Sequence, residues 1–159
     1  MNTEFEKIIN ASILLEKNIA SIYLIFKETF DEDAGFWWKL VLEEEHHAAL
    51  IKSAKVYFAP TDQFPQEMIT STFEELQKAN NICQSCIDKY KVEPPTREAA
   101  FNLGLVLESS AGEIHFQKFM IEHSDSEITK IFQQLNGDDV NHYKRIKSYM
   151  MENNITVSK

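Results

Sequence analysis

Glycine and proline are scarce in this chain. It has four of each among 159 residues, about 5% of the total where about 12% is usual in globular proteins. Sandwiches and barrels of short strands need a glycine- or proline-rich turn every ten residues or so, so the composition excludes them and predicts an all-α protein. The chain is 43% hydrophobic, too apolar for a disordered protein. Its length suits a single domain, residues 1–159.

Basic charge, cysteine and long apolar runs are also limited. There are 16 Lys and Arg against 25 Asp and Glu, and an acidic protein is a poor partner for nucleic acid or an anionic membrane surface. The longest apolar run, residues 19–26, is far shorter than the about 20 residues of a membrane span, and the N-terminus lacks a basic signal region. Cys83 and Cys86 are too few for a disulfide scaffold. We therefore expect a cytoplasmic protein with neither nucleic-acid nor membrane partners.

The prolines divide the chain into helical segments. They occur only at positions 60, 65, 94 and 95, where helices must end. A capping-box pattern at Ser124–Glu127 and a polar break with glycine at residues 31–35 divide the two outer parts again. The predicted helices are roughly 3–30, 34–58, 66–91, 96–122 and 125–152. Two helix pairs joined by a long crossover, about 60–95 with its own helix, describe a four-helix bundle.

Ionisable residues interrupt the apolar stripes at repeated positions. The repeated residues are Glu16, Glu44 and His47 in the first half and Glu108, Asp139 and His142 in the second. The lone glutamates of the two halves are 92 positions apart, and the acid-x-x-His pairs are 95 apart. One acid-x-x-His pair arises often by chance, because residues three apart are neighbours on a helix. Its recurrence in two helix pairs indicates an internal duplication that brings these six side chains into the core.

A second acid-x-x-His pair overlaps the first. Glu43 and His46 have the same spacing, but their counterparts in the second half, Asp138 and Asn141, lack the histidine. We therefore take Glu44 and His47 as the inward pair. Glu43, Glu45 and His46 are predicted to face solvent.

Four carboxylates in a bundle core need compensating positive charge, because an unpaired buried charge is costly. Two divalent metals would supply four positive charges. In helical bundles such sites use one carboxylate from each of two helices and a Glu-x-x-His pair from each of the others. Oxygen and imidazole ligands favour iron or manganese. The alternative is a structural polar layer, or a degenerate site that no longer binds metal.

The sequence resembles the ferritin-like di-iron carboxylate proteins, especially the rubrerythrin branch. The resemblance covers the four bundle helices and leaves the crossover unmatched. The matching residues are Glu16 with Tyr23, the run 43–48, Glu108, and the run 138–142. It implies a ferritin-like four-helix bundle. It also implies that Glu44 and Asp139 bridge two metals, that Glu16 and Glu108 are terminal ligands, and that His47 and His142 complete the two sites.

The resemblance also implies an activity. Rubrerythrin-like proteins are oxidoreductases that reduce peroxide or dioxygen at two iron ions, with manganese or mixed metals as alternatives here. We expect an external electron donor, because the iron-thiolate module needs two Cys-x-x-Cys pairs and the chain has one. We also expect a homodimer. Two other functions remain open: a metal-binding or iron-handling protein without turnover, and a metal-free helical interaction module.

The chain departs from the family pattern at three positions. Asp139 stands where the family usually has glutamate, and Ala111 stands where rubrerythrins carry an additional glutamate. Gly137 indicates either a kink in a continuous helix or an Asn136-Gly137 turn before a new one.

Several other residues have a structural and a functional interpretation. We interpret Tyr23 as a core tyrosine bonded to a carboxylate, with a redox-active phenol beside the metals as the alternative. His115 is interpreted as a core histidine rather than an additional ligand. Cys83 and Cys86 are interpreted as packed thiols rather than a redox pair. The acidic stretch Asp31–Asp33 is predicted to be a solvated helix start.

Overall fold

The computed structural model describes residues 3–58, 71–109 and 142–158, together with residues 64, 121, 123, 125, 127, 129, 130 and 133. Within these residues the regular structure is helical and contains no strand, which confirms the predicted all-α class. A short 3-10 turn, Asp31–Asp33, joins the first two helices. The helices with described bounds are α1 (Thr3–Thr29), α2 (Ala34–Phe58), α3 (Phe73–Val92), α4 (Arg97–Leu107) and α5 (His142–Glu152).

The start of the crossover helix differs from its prediction. The expected range was 66–91, whereas α3 begins at Phe73. Thr72 forms a capping box: its hydroxyl accepts from the Glu75 amide at 3.2 Å, and its own amide donates to the Glu75 carboxylate at 2.8 Å. These two bonds satisfy amides that the first turn of a helix leaves without partners, and they fix the helix start there.

The fourth helix also differs from its prediction. An uninterrupted helix over 96–122 was expected, but regular α-helix ends at Leu107 and a turn follows at residues 108–109. The Ser109 hydroxyl donates to the Leu105 carbonyl at 2.8 Å, a bond that competes with regular helical hydrogen bonding. The turn places Glu108 at the end of α4 rather than in mid-helix.

The core forms where the helices meet. Helix α1 packs against α2 and α3, and α4 packs against α5. Buried residues of the crossover helix, Leu76 and Ile87, join the main apolar cluster, whereas Ile82 is half exposed. A buried hydrogen bond of 2.8 Å between Asn18 and Asn80 adds a polar link between α1 and α3.

Helix α1 is long and apolar enough to cross a membrane by length and composition alone. Its best window has a mean hydropathy of 1.4, and 56% of that window is buried inside the protein. Buried core helices pass the same test. In this structure the apolar side of α1 contacts α2 and α3.

A buried ion pair connects the two halves of the chain. Asp33 is 1% exposed and accepts from Arg97 Nε and Nη2 at 2.7 and 2.8 Å. The Tyr149 hydroxyl donates to the same carboxylate at 2.9 Å. The prediction that this acidic stretch is solvated was therefore wrong for Asp33, because α4 and α5 supply partners that make its burial tolerable.

We expect the Arg97→Ala substitution to destabilise the protein by about 2 kcal/mol, because Asp33 would remain buried with one hydrogen-bond donor. Urea unfolding would measure the change. The matched control is Lys7→Ala, which removes an exposed pair with Glu4 and should cost about 0.5 kcal/mol or less. Equal losses for the two variants would contradict this role of Asp33.

Candidate metal centre

Five of the six predicted ligands meet in the core. Glu16 comes from α1, the end of α4 supplies Glu108, and His142 is the first described residue of α5. Each of the five side chains is at most 3% exposed. The residues of this cluster are Glu16, Glu44, His47, Glu108 and His142. The sixth predicted ligand, Asp139, lies outside the described residues, as do His115 and Gly137.

Helical spacing explains how α2 contributes two of them. Leu40, Glu44, His47 and Ile51 follow one another at intervals of four, three and four, so they share one face of the helix. Leu40 and Ile51 are buried on either side of the ionisable pair. Burial of the two apolar residues therefore places this face of α2 in the core, and Glu44 and His47 are buried with it.

Glu44 lies at the centre of the cluster. One of its oxygens, Oε2, is 3.3 Å from His47 Nδ1, which is also 3.7 Å from Glu16 Oε2. The other, Oε1, is 2.7 Å from His142 Nδ1, which is also 3.3 Å from Glu108 Oε2. Glu44 thus belongs to two groups of three potential ligands, and within each group the ligand atoms lie within 4.8 Å of one another.

Tyr23 borders the second group. Its hydroxyl donates to Glu108 Oε1, and its ring lies 5.3 Å from the ring of Trp37. This contact agrees with the interpretation of Tyr23 as a core tyrosine that bonds a carboxylate. It also orients Glu108 so that the other oxygen, Oε2, faces His142.

The buried charges shift one another's ionisation. Burial raises the pKa of Glu16 to about 7, and the negative charge of Glu44 acts in the same direction. Burial also raises the pKa of Glu108, again with Glu44 contributing. Although burial would raise the pKa of Glu44, its contacts with His142 and His47 hold it well below its usual range. Burial would lower the pKa of His142, but Glu108, Glu43 and Glu44 raise it far above its usual range.

The cluster fits a metal pair by its donor chemistry. Glu16 Oε2, Glu44 Oε1 and Glu108 Oε2 are buried, and each lies 2.7 to 3.7 Å from an imidazole nitrogen of His47 or His142. Carboxylate and imidazole ligands suit iron or manganese. A metal ion that displaced the imidazole protons would find oxygen and nitrogen ligands already close together at each position.

The prediction for Glu43 was wrong. This residue is 7% exposed and makes a bidentate ion pair with Arg145, at 2.9 and 2.7 Å. Its neighbours Glu45 and His46 are exposed, as predicted. Sequence analysis missed both Glu43 and Arg145. The available signal was that Arg145 lies three residues after His142 and therefore on the same side of the last helix.

The two cysteines are packed thiols, as interpreted. Both are free. Burial raises the pKa of Cys83 to about 12, with the charges of Cys86 and Glu16 contributing. Burial likewise raises the pKa of Cys86. The thiolate, which is the reactive form, is therefore disfavoured at both positions.

Comparison with protein-family models, with curated proteins and with solved structures finds no match to this chain.

The raised pKa of Glu16 predicts a pH dependence in the metal-free protein. The folded state keeps this proton up to about pH 7, whereas the unfolded chain releases it near pH 4.5. Stability that is present below pH 4.5 is therefore lost as the pH rises toward 7. The Glu16→Gln variant has no carboxyl proton to release at this position. Between pH 5 and 7.5 its free energy of unfolding should therefore exceed that of the wild type by up to about 3 kcal/mol.

Urea unfolding with a chelator present would measure this gain. Glu45→Gln is the matched control, because it removes an exposed carboxylate from the neighbouring helix. A stability difference between wild type and Glu16→Gln that does not change with pH would contradict the shift.

The burial of Cys83 predicts unequal thiol reactivity. In the folded protein we expect a disulfide reagent to modify Cys86, which is partly exposed, and to leave Cys83 unmodified until the protein unfolds. Peptide mapping after timed labelling would distinguish the two. Equal labelling rates in the native state would show that Cys83 is accessible.

Proposed function

We propose that this protein is a ferritin-like, non-haem di-metal oxidoreductase, similar to rubrerythrins, that reduces peroxide or dioxygen with electrons from an external donor. The single observation that carries the proposal is the central position of Glu44 in two three-ligand groups. One carboxylate common to two groups is what a bridged metal pair requires. The resemblance in sequence to di-iron carboxylate proteins supplies the reaction class.

The proposed ligands divide into two sets. One metal would be held by Glu16, Glu44 and His47, and the other by Glu44, Glu108 and His142. By the resemblance to di-iron carboxylate proteins, Asp139 would be the second bridging carboxylate, and this remains a prediction. Two iron ions, or alternatively manganese ions, would supply the electron pair needed to cleave an O–O bond.

The remaining residues control the environment of that chemistry. Tyr23 keeps one Glu108 oxygen occupied and holds the carboxylate in position. The rings of Tyr23, Phe26, Trp37 and Phe101 pack against one another beside the site. This apolar wall limits water and so suppresses side reactions.

Metal analysis of protein purified without added metal tests the proposal. We expect about two iron or manganese ions per chain and, for iron, a near-ultraviolet absorption band that bleaches on reduction and returns with peroxide. Two bound metals that never turn over would favour the iron-handling alternative. A metal-poor, colourless protein that also fails to bind added metal would overturn the proposal.

Histidine substitutions test the ligand assignment. We expect His47→Ala and His142→Ala each to lower the metal content while leaving helicity largely intact, because each removes one proposed ligand. Elemental analysis and circular dichroism would measure the two quantities. His46→Ala is the matched control, since His46 is exposed beside His47 on the same helix. Normal loading in both ligand variants would refute the assignment.

A further inference from the structure

An ion pair lies directly behind one of the proposed ligands. Arg145 Nη1 and Nη2 donate to the two oxygens of Glu43, and Glu43 Oε2 is 3.3 Å from His142 Nε2. The other ring nitrogen of His142, Nδ1, is 2.7 Å from Glu44 and 3.3 Å from Glu108. His142 is therefore held between Glu43 on one side and the candidate ligands on the other.

The arrangement determines which nitrogen of a neutral His142 can bind a metal. Without metal, both ring nitrogens of His142 face carboxylates, Nε2 facing Glu43 and Nδ1 facing Glu44 and Glu108. A metal held by Glu44 and Glu108 would displace the proton on Nδ1, whereas Glu43, which as an ionised carboxylate only accepts hydrogen bonds, would retain the proton on Nε2. Outer partners of this kind fix the tautomer and the ring orientation of metal-binding histidines.

Arg145 holds Glu43 in place from the outside. Its guanidinium contacts both carboxylate oxygens, so Glu43 cannot rotate away without losing a bidentate contact. The side chain of Arg145 remains 27% exposed, at a groove that Phe36 and Tyr149 also line. The ion pair thus links this surface groove to the buried histidine.

The arginine of this ion pair has no counterpart in the first half of the duplicated sequence. The repeat offset of 95 residues places Leu50 at the position equivalent to Arg145. Leu50 is buried in an apolar cluster with Ile51 and Ala54. A leucine side chain has no charge and no hydrogen-bond donor with which to bind a carboxylate. The two halves of the site therefore differ at this position.

We propose that Glu43 and Arg145 are positioning residues that secure the metal bound by Glu44, Glu108 and His142, and that the two metal positions consequently differ in affinity. This inference rests on the proposed function, because it concerns the same pair of metals.

Cobalt(II) titration of the metal-free protein tests the inference, with visible absorption and equilibrium dialysis as readouts. The wild type should bind two equivalents. In Glu43→Gln, one equivalent should bind roughly 10- to 100-fold more weakly and the other should be unchanged. Glu45→Gln is the matched control, because it removes the same charge from an exposed position of the same helix and should leave both equivalents intact.

The conservative variant Arg145→Lys separates positioning from folding. It keeps the positive charge but loses the bidentate contact with Glu43. Its affinity for the cobalt equivalent that Glu43→Gln weakens should therefore fall between the affinities of the wild type and of Arg145→Gln. Circular dichroism would show whether each variant keeps the helical content of the wild type. The comparison of Arg145→Lys with Arg145→Gln also provides a test if Glu43→Gln does not fold.

Combining substitutions assigns the weakened equivalent to one half of the site. In a His47→Ala background, adding Glu43→Gln should further weaken the remaining cobalt site. In a His142→Ala background the same addition should change nothing, because its target is already absent. Equal weakening in both backgrounds would mean that Glu43 acts through general stability, and this would overturn the inference.

The outcomes distinguish the two proposals. A wild-type protein that binds no cobalt would contradict the proposed function together with this inference. Two bound cobalt ions with unaltered binding in Glu43→Gln and Arg145→Gln would contradict only the roles of Glu43 and Arg145.

Discussion

Buried negative charge is the constraint that organises this protein. Glu16, Glu44 and Glu108 are nearly or completely buried, and the desolvation of each carboxylate costs several kcal/mol. In the metal-free state, protonation lowers this cost: the pKa of Glu16 is raised by burial, and the pKa of His142 is raised by the surrounding carboxylates. A metal pair would replace those protons, so metal binding and proton release are coupled.

Both arginines of the chain serve the same purpose. Arg97 and Arg145 are the only arginines among its 16 lysine and arginine residues. Arg97 makes a bidentate ion pair with the buried carboxylate of Asp33, and Arg145 makes one with that of Glu43. The planar guanidinium suits this role better than the lysine ammonium. Because each pair joins an element of the second half of the chain to one of the first, the two arginines hold the halves together.

Local periodicity accounts for what the sequence could predict. The apolar stripes and the polar break predicted the end of α1 and the start of α2 to within a residue, and the polar residues on those stripes, such as Glu44 and His47, meet in the core. Asp33 and Glu43 could not be assigned in this way, because their partners lie 64 and 102 residues away. The local sequence predicts that a carboxylate within an acidic run faces solvent, because it does not reveal the distant segment that covers that carboxylate.

Two adjacent tryptophans have opposite surroundings. Trp37 is fully buried and its ring lies 5.3 Å from Tyr23, whose hydroxyl contacts Glu108. Trp38 is 45% exposed and has the Lys27 ammonium over its ring. We therefore expect blue-shifted emission from Trp37, which a paramagnetic ion bound by the carboxylates would quench, and emission from Trp38 that responds to quenchers in the bulk. If the proposed metals bind, Trp37 would report their occupancy by fluorescence, and Trp38, one residue away, would serve as an internal reference.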